Sequence, residues 1–446
     1  MSEISWSTRS IRECLAESFA GEWGAEPLPG NARVLRATDI DDEGHVIGSG
    51  ALRRLPIGKL TSRQLEDGDI LLEGSGGGPD KPVGRVAFFD AVEHQGPAVC
   101  SNFFKTLRPD RRVAEPRFLW RKLMWFYRQP TLLTFQQQTT GIINLKFEEY
   151  LNATIEVPAD LAEQRAIAQI LDTLDTAICE TEALIDKLKA VKQGLLHDLL
   201  TRGIDANGQL RPPQSEAPQF YKESPFGWIP KEWSWGTLGR WLIGKPKNGY
   251  SPQEAGEWTG IQMLGLGCLT KDGFFPAQLK SAPTRDKNLE GALLSEGDLL
   301  ISRANTRELV GLAGVYRDVG TPCTYPDLMM RLAPSEETCS EFLQLVLQSN
   351  RVRRQIQAAA SGTSESMVKI SGSIVMGLQI TMPASGEQSI ILCRAKALDG
   401  QLQSELERHK GLHAIKTGLM DDLLTGRVRV TPLLESVQQL AAQTGA

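Results

Sequence analysis

The strongest constraint on this chain is that it contains nearly the same passage twice. GLLHDLLTRG runs from Gly194 to Gly203, and GLMDDLLTGR from Gly418 to Arg427, 224 residues later. Aligned without gaps, Glu163–Gly203 and Glu387–Arg427 agree at 14 of 41 positions, among them Glu163/Glu387, Gln164/Gln388, Asp175/Asp399, Lys192/Lys416 and Leu199/Leu423. Upstream the correspondence loosens. LEDGDILLEGSG (Leu65–Gly76) answers LSEGDLLISRAN (Leu294–Asn305), PVGRVAFF answers LVGLAGVY, and TLRP answers the MRLAP stretch around Arg331. A constant offset downstream marks an element of fixed length, and a drifting one upstream marks domains that accept insertions. A long internal repeat is read before any other feature because it sets the architecture.

The constant part has the period of a helix. Ile167, Leu171, Leu174, Ile178, Ile185, Leu188, Leu195 and Leu199 recur at steps of three, four and seven, broken by Thr181 and Lys192. The second copy keeps the frame through Ile391, Leu398, Leu402, Leu412, Leu419 and Leu423, and is polar at Glu405, His409 and Lys416. Each copy predicts a helix of about 40 residues, roughly 60 Å. Pro158 and Pro383 precede the starts, and Asp160 is placed to cap the first. The heptads predict that the helices pair, with Thr181 and Glu405 near the middle able to set register. An antiparallel pair asks least of the connection between the halves.

The upstream segments read as mixed α/β. Short β-branched and aromatic runs alternate with Gly and Pro turns, and each half closes on one amphipathic helix, Pro116–Arg128 or Ser340–Ala358. The expected boundaries are a first domain over 1–157, a helix over 158–203, a Pro- and Gly-rich linker over 204–232, a second domain over 233–382, a helix over 383–427 and a tail over 428–446. Two or three domains suit a chain of 446 residues. Seven cysteines with no C-x-x-C pair suggest reduced thiols and a cytoplasmic protein, and no run reaches the length of a membrane span. The net charge of −5 gives no general attraction to nucleic acid, so DNA contact must rest on local patches. Between Cys100 and Tyr150, nine Lys and Arg stand against four acids. Two similar faces a fixed distance apart fit duplex DNA, and diverged faces fit an asymmetric site in two parts.

In layout and motifs the chain resembles the DNA specificity subunits of type I restriction-modification systems. The resemblance rests on LEDGDILLEGSGGGPDKPVGRV, TTGIINL (Thr139–Leu145), PADLAEQRAI and GWIPKEWSWGTLG, in that order and partly duplicated. The second copy departs from it, with SGTSESMVKI (Ser361–Ile370) in place of TTGIINL. The resemblance implies a mixed α/β pseudo-two-fold tandem repeat: two target-recognition domains separated by a pair of long antiparallel coiled-coil helices. It also implies double-stranded DNA, two adenine methyltransferase subunits and two restriction/translocase subunits as partners. Catalysis then lies on those partners, with S-adenosylmethionine, ATP and Mg as their cofactors and none on this chain. A freestanding two-headed DNA-binding protein, and an enzyme with an unrecognised site, stay open as alternatives.

Candidate DNA-contacting residues in the first half are Ser75, Gly76, Lys81, Arg85, Arg108, Arg111, Arg112, Thr139, Thr140 and Asn144. In the second half they are Ser302, Arg303, Asn305, Arg307, Arg351, Arg353, Arg354 and Lys369. Guanidinium groups suit phosphates and guanine edges, and amides and hydroxyls suit base edges. The glycines of GSGGG lack the GK[ST] of a phosphate loop. Gly194 and Gly418 are costly inside a helix, and with Leu199 and Leu423 they are expected to seat the partner subunits. His409 and His413 stand four apart, but HKGLH offers no third ligand, so no metal site is expected.

Overall fold

A computed structural model describes residues 6–430 apart from 27–28, 78–80, 95, 140–141, 226, 285 and 365–366. It divides into two units, residues 1–183 with 406–446, and residues 184–405. The division falls inside the two long helices, Leu161–Thr201 and Ser385–Leu424, so each unit holds the start of one and the end of the other. Within the described residues no helix is long and apolar enough to cross a membrane.

The first unit is built on a four-stranded antiparallel sheet in the order Leu15–Ala20, Phe104–Pro109, Ile70–Glu73, Val86–Phe88. ILL in the central strand is buried throughout because both faces are covered. Ile70 and Leu72 face the helix Pro116–Tyr127 through Phe118, Leu119 and Leu123, whereas Leu71, with Phe104 of the adjacent strand, shares a core with Leu35 and Cys100 of a second layer. That layer is the sheet Ala51–Arg53, Ala32–Leu35, Ala98–Cys100, with its last pair parallel. Strand periodicity of two makes this possible: alternate residues feed opposite cores.

The second unit repeats this plan. Its main sheet runs Lys247–Asn248, Met329–Leu332, Leu299–Ser302, Ala313–Val315, and its smaller sheet again pairs one strand parallel, Gln262–Leu264 with Cys323–Thr324. The loose upstream alignment therefore matches strand to strand. The matching GD pairs show why. Gly68 and Gly297 hold φ of 91° and 89°, which favour glycine, and each following aspartate closes its turn and binds an arginine of the neighbouring strand. Asp69 pairs with Arg108 at 2.8 Å and Asp298 with Arg331 at 3.0 Å.

Two expectations are corrected here. The helix expected over Ser340–Ala358 is two helices, Ser340–Gln348 and Asn350–Ala359, because Ser349 adopts an extended backbone (ψ 142°) that breaks the ladder. Residues 204–232 are not a bare linker. They hold the hairpin Tyr221–Ser224 with Gly227–Pro230, and bury Ile204, Tyr221 and Ile229 in the second unit. Apolar residues spaced among the prolines anchor the segment.

In both units the long helices pair antiparallel. In the first, Asp175 meets Lys416 at 2.8 Å, and Ile167, Leu171, Leu423 and Leu424 share one core with the helix Pro116–Tyr127. That shorter helix also clamps the end of the second long helix: Trp125 donates to Asp421 (2.8 Å) and Lys122 to the carbonyl of Leu424 (2.6 Å). Burial pulls the Lys122 amine down to about 8, yet the ammonium caps a carbonyl the helix leaves unpaired. In the second unit Lys192 meets Asp399 at 2.8 Å, and Leu199 and Ile391 share a core with Trp233, Trp241 and Phe342. Thr181 is buried, but its hydroxyl donates to Ala177 of its own helix rather than across the pair.

Candidate nucleic-acid interface

The repeated Glu-Gln at each helix start has a structural task. Gln164 donates to the carbonyls of Val113 and Pro158 and accepts from the amide of Glu115; Gln388 donates to Glu337 and Pro383 and accepts from Thr338. Each glutamine ties the helix to its own domain. The preceding glutamate reaches the residues that follow the other helix: Glu163 binds Arg429 at 2.7 Å, and Glu387 binds Arg211, the indole of Trp233 and the amide of Ile204. Thus each copy of the DLLT passage ends beside the start of the partner copy. Sequence reasoning found the repeat of Glu-Gln but assigned it no role, since its partners lie up to 266 residues away.

Each unit also assembles one small polar sheet from distant segments. In the first, Ser75–Gly77, Ile142–Leu145 and Gln136–Thr139 lie side by side, with Asn144 opposite Ser75 and Gln137. Gln136 fastens this sheet, accepting from the amide of Val83 (3.0 Å) and donating to its carbonyl (2.9 Å). Two glycines of GSGGG serve the backbone: Gly76 has φ 110°, and a Cβ on Gly77 would lie 2.6 Å from the Lys81 carbonyl. In the second unit the equivalent sheet is Ala304–Asn305, Met367–Lys369 and Ser361–Ser364. GSGGG and TTGIINL, or SRAN and SGTSESMVKI, are therefore two parts of one surface in each unit.

Of the candidate residues, Ser75, Gly76, Thr139 and Asn144 come together on the first sheet, and Asn305 and Lys369 on the second. Thr140 lies outside the described residues. Gln137 and Gln138, which residue-by-residue reading passed over, are exposed on the strand beside Asn144. The run QQQT preceding the turn was their signal, because glutamine amides can pair with an adenine edge.

Several of the candidate arginines have partners within the protein. Arg108 is bound by Asp69, Glu17 and Glu66, and burial of Asp69 makes this pair part of the fold. Arg111 and Arg112 pair with Asp67 and Asp110, and Arg112 holds the Asp110 carboxyl down at about 2. These three stand beside the start of the strand Ile70–Glu73, whereas the polar sheet continues from its end. Arg85 donates to the carbonyls of Ile40 and Ala37 and pairs with Glu73. Lys81 is exposed beside Asp42. In the second unit, buried Arg353 donates to the carbonyls of Val310 and Glu308, and burial lowers its pKa. Arg307 donates to the carbonyls of Gln357 and Ala360, Arg303 to that of Asp327, and Ser302 is fully buried. These side chains hold loops together. Burial likewise lowers Arg351, while Arg354 is exposed.

The expected seats on the long helices separate into two kinds. Leu199 and Leu423 are fully buried in the cores of their units, so their side chains are not offered to a partner. Gly194 and Gly418 are exposed, and a Cβ at either would meet open space among the described residues. One turn before each stands an exposed apolar residue, Val191 and Ile415, again at matching positions of the repeat.

Each unit thus holds an α/β head with a small polar sheet, packed against the start of one long helix and the end of the other, so the chain is a tandem repeat of one fold. Residues 30–190 match the family described as type I restriction modification DNA specificity domain. Among relatives, the MjaVIII type I restriction enzyme specificity subunit of Methanocaldococcus jannaschii is 24% identical over 308 residues, 68% of each chain. The EcoKI specificity subunit of Escherichia coli K12 is 23% identical over 329 residues, again 68% of each. The fold is similar to the solved type I S subunit of M. genitalium, with TM-score 0.52 at 16% identity over 95% of this chain and 97% of that one. It is also similar to a chain solved for complex assembly and conformational transition of the type I R-M system, with TM-score 0.55, 17% identity, and 96% and 100% coverage. Residues 30–190 thus carry a type I restriction modification DNA specificity domain, and the chain as a whole is similar to type I specificity subunits in sequence and fold.

Proposed function

We propose that this subunit reads an asymmetric DNA site in two separated blocks, one through each polar hairpin sheet, and seats two adenine methyltransferases that modify it. The observation that carries the reading is the duplicated sheet: the same three segments converge in each unit, with different side chains on them. In one sheet Gln137 and Asn144 lie opposite each other and offer amide donors and acceptors, with Gln138 on the alternate face; in the other, Asn305 and Lys369 offer an amide and a cation from neighbouring strands. Equal frames with unequal surfaces suit a bipartite, non-palindromic sequence.

Two equivalent exposed helix faces, Val191 with Gly194 and Ile415 with Gly418, support two equivalent seats for one kind of partner. Glycine lets another backbone approach a helix closely, and the neighbouring apolar side chain supplies area to bury. The methyltransferases would draw on S-adenosylmethionine, and a pair of ATP- and Mg-dependent restriction/translocase subunits would complete the assembly.

The test is selection of bound duplexes from a random library by the complex purified from the native host. Two short conserved blocks at a fixed spacing are expected. One contiguous block, or no sequence preference, would overturn the reading.

A further inference from the structure

In the first unit the antiparallel helices bring together three metal-ligating side chains that are far apart in sequence. His409 and His413 stand one turn apart on the second long helix, and Glu182 of the first lies 227 positions from His409. The Nε2 of His409 is 2.9 Å from Glu182 Oε1 and 3.2 Å from His413 Nε2. All three ligand atoms lie within 4.8 Å of one another. HKGLH alone lacked a third ligand. The antiparallel register supplies it, and that register is set independently two turns away by Asp175 and Lys416 at 2.8 Å.

We propose that Glu182, His409 and His413 bind a divalent transition cation of the zinc type. Zinc holds imidazole nitrogen and carboxylate oxygen at about 2.0–2.2 Å, and a tetrahedral centre with such bonds has ligand edges of roughly 3.3 Å. The two measured separations therefore need to open by only a few tenths of an ångström. Two imidazoles select zinc, nickel, copper or cobalt over magnesium and calcium, which take oxygen. Glu182 is half exposed and both histidines are partly exposed, so an ion can enter from solvent and water can fill the fourth position. Bound there, the ion joins the end of one helix passage to the start of the other within this unit. At the matching positions of the repeat, the residues answering Glu182, His409 and His413 are Leu406, Ile185 and Lys189, so the site belongs to one copy only.

The test uses the full chain, free of any affinity tag and stripped of metal by chelation, titrated with Zn²⁺ or Co²⁺. One equivalent is expected to bind, with Co²⁺ giving the visible bands of a four-coordinate centre and no sulfur charge-transfer band. His413→Ala and Glu182→Gln should each weaken binding on the order of 100-fold or more, beyond the 10- to 100-fold typical of outer-shell partners. His197→Ala should leave binding unchanged, and circular dichroism of every variant confirms its helices. Absence of a bound equivalent overturns the proposal, as does unchanged affinity in both ligand variants. A thiolate spectrum overturns it too, by assigning the ion to cysteines.

Discussion

The two units contain the same ion pair in different surroundings. Asp175 with Lys416 in the first and Asp399 with Lys192 in the second are the same two positions of the repeat, read in opposite order. In the first unit the side chains are 14% and 6% exposed, and Arg121 and Glu43 complete a closed network. In the second they are 50% and 20% exposed, with the exposed Asp272 added. Burial pushes the Asp175 carboxyl up, but Arg121 and Lys416 more than offset this and hold it below its ordinary value. The comparison teaches that duplication preserves which residues meet, while the domain packed around them decides what the meeting contributes. A buried pair is costly to break because it leaves a charge stranded, and an exposed one is screened.

The largest expected effect follows directly. Lys416→Met should destabilise the first unit by about 3 kcal/mol, whereas Lys192→Met should cost the second under about 1 kcal/mol. Native-state hydrogen exchange at amides flanking each pair measures both locally. Equal losses would break the comparison, and would mean that burial of the network in the first unit contributes nothing.

A second contrast sets buried against exposed positions of the repeat. Val191→Asp and Ile415→Asp should each weaken one methyltransferase seat by roughly 30-fold, about 2 kcal/mol, as charge at an apolar contact does. Native mass spectrometry of the complex should show one methyltransferase lost in each single variant and both lost in the double. Two methyltransferases retained by a folded double variant would move the seats elsewhere.

Much of the architecture was legible in the chain. The heptads from Ile167 and Ile391 gave two helices of the expected length, 41 and 40 residues, and GD with its following strand matched in both units. The same heptads already placed Leu199 and Leu423 on the buried seam, so assigning them to partner docking went against the period that revealed the helices. The partners of the arginines were hidden for another reason. Counting charge between Cys100 and Tyr150 ignores acids outside that window, and Asp69, 39 residues before Arg108, is what binds it. The polar sheets were half legible: GSGGG and TTGIINL stood out separately, but nothing local says that strands more than 60 residues apart share an edge. Glu182 with His409 was out of reach for the same reason, since only helix register joins them.

The central claim is that each unit reads its own block of the DNA site through its hairpin sheet. The most direct measurement is the recognised sequence of a Gln137→Ala/Gln138→Ala variant, taken from the methylated sites of a host that carries it. Relaxed preference at one block is expected, by about 1–3 kcal/mol for a base pair that loses a paired amide contact, with the other block and the spacing unchanged. Altered preference in both blocks, or in neither, would contradict the account.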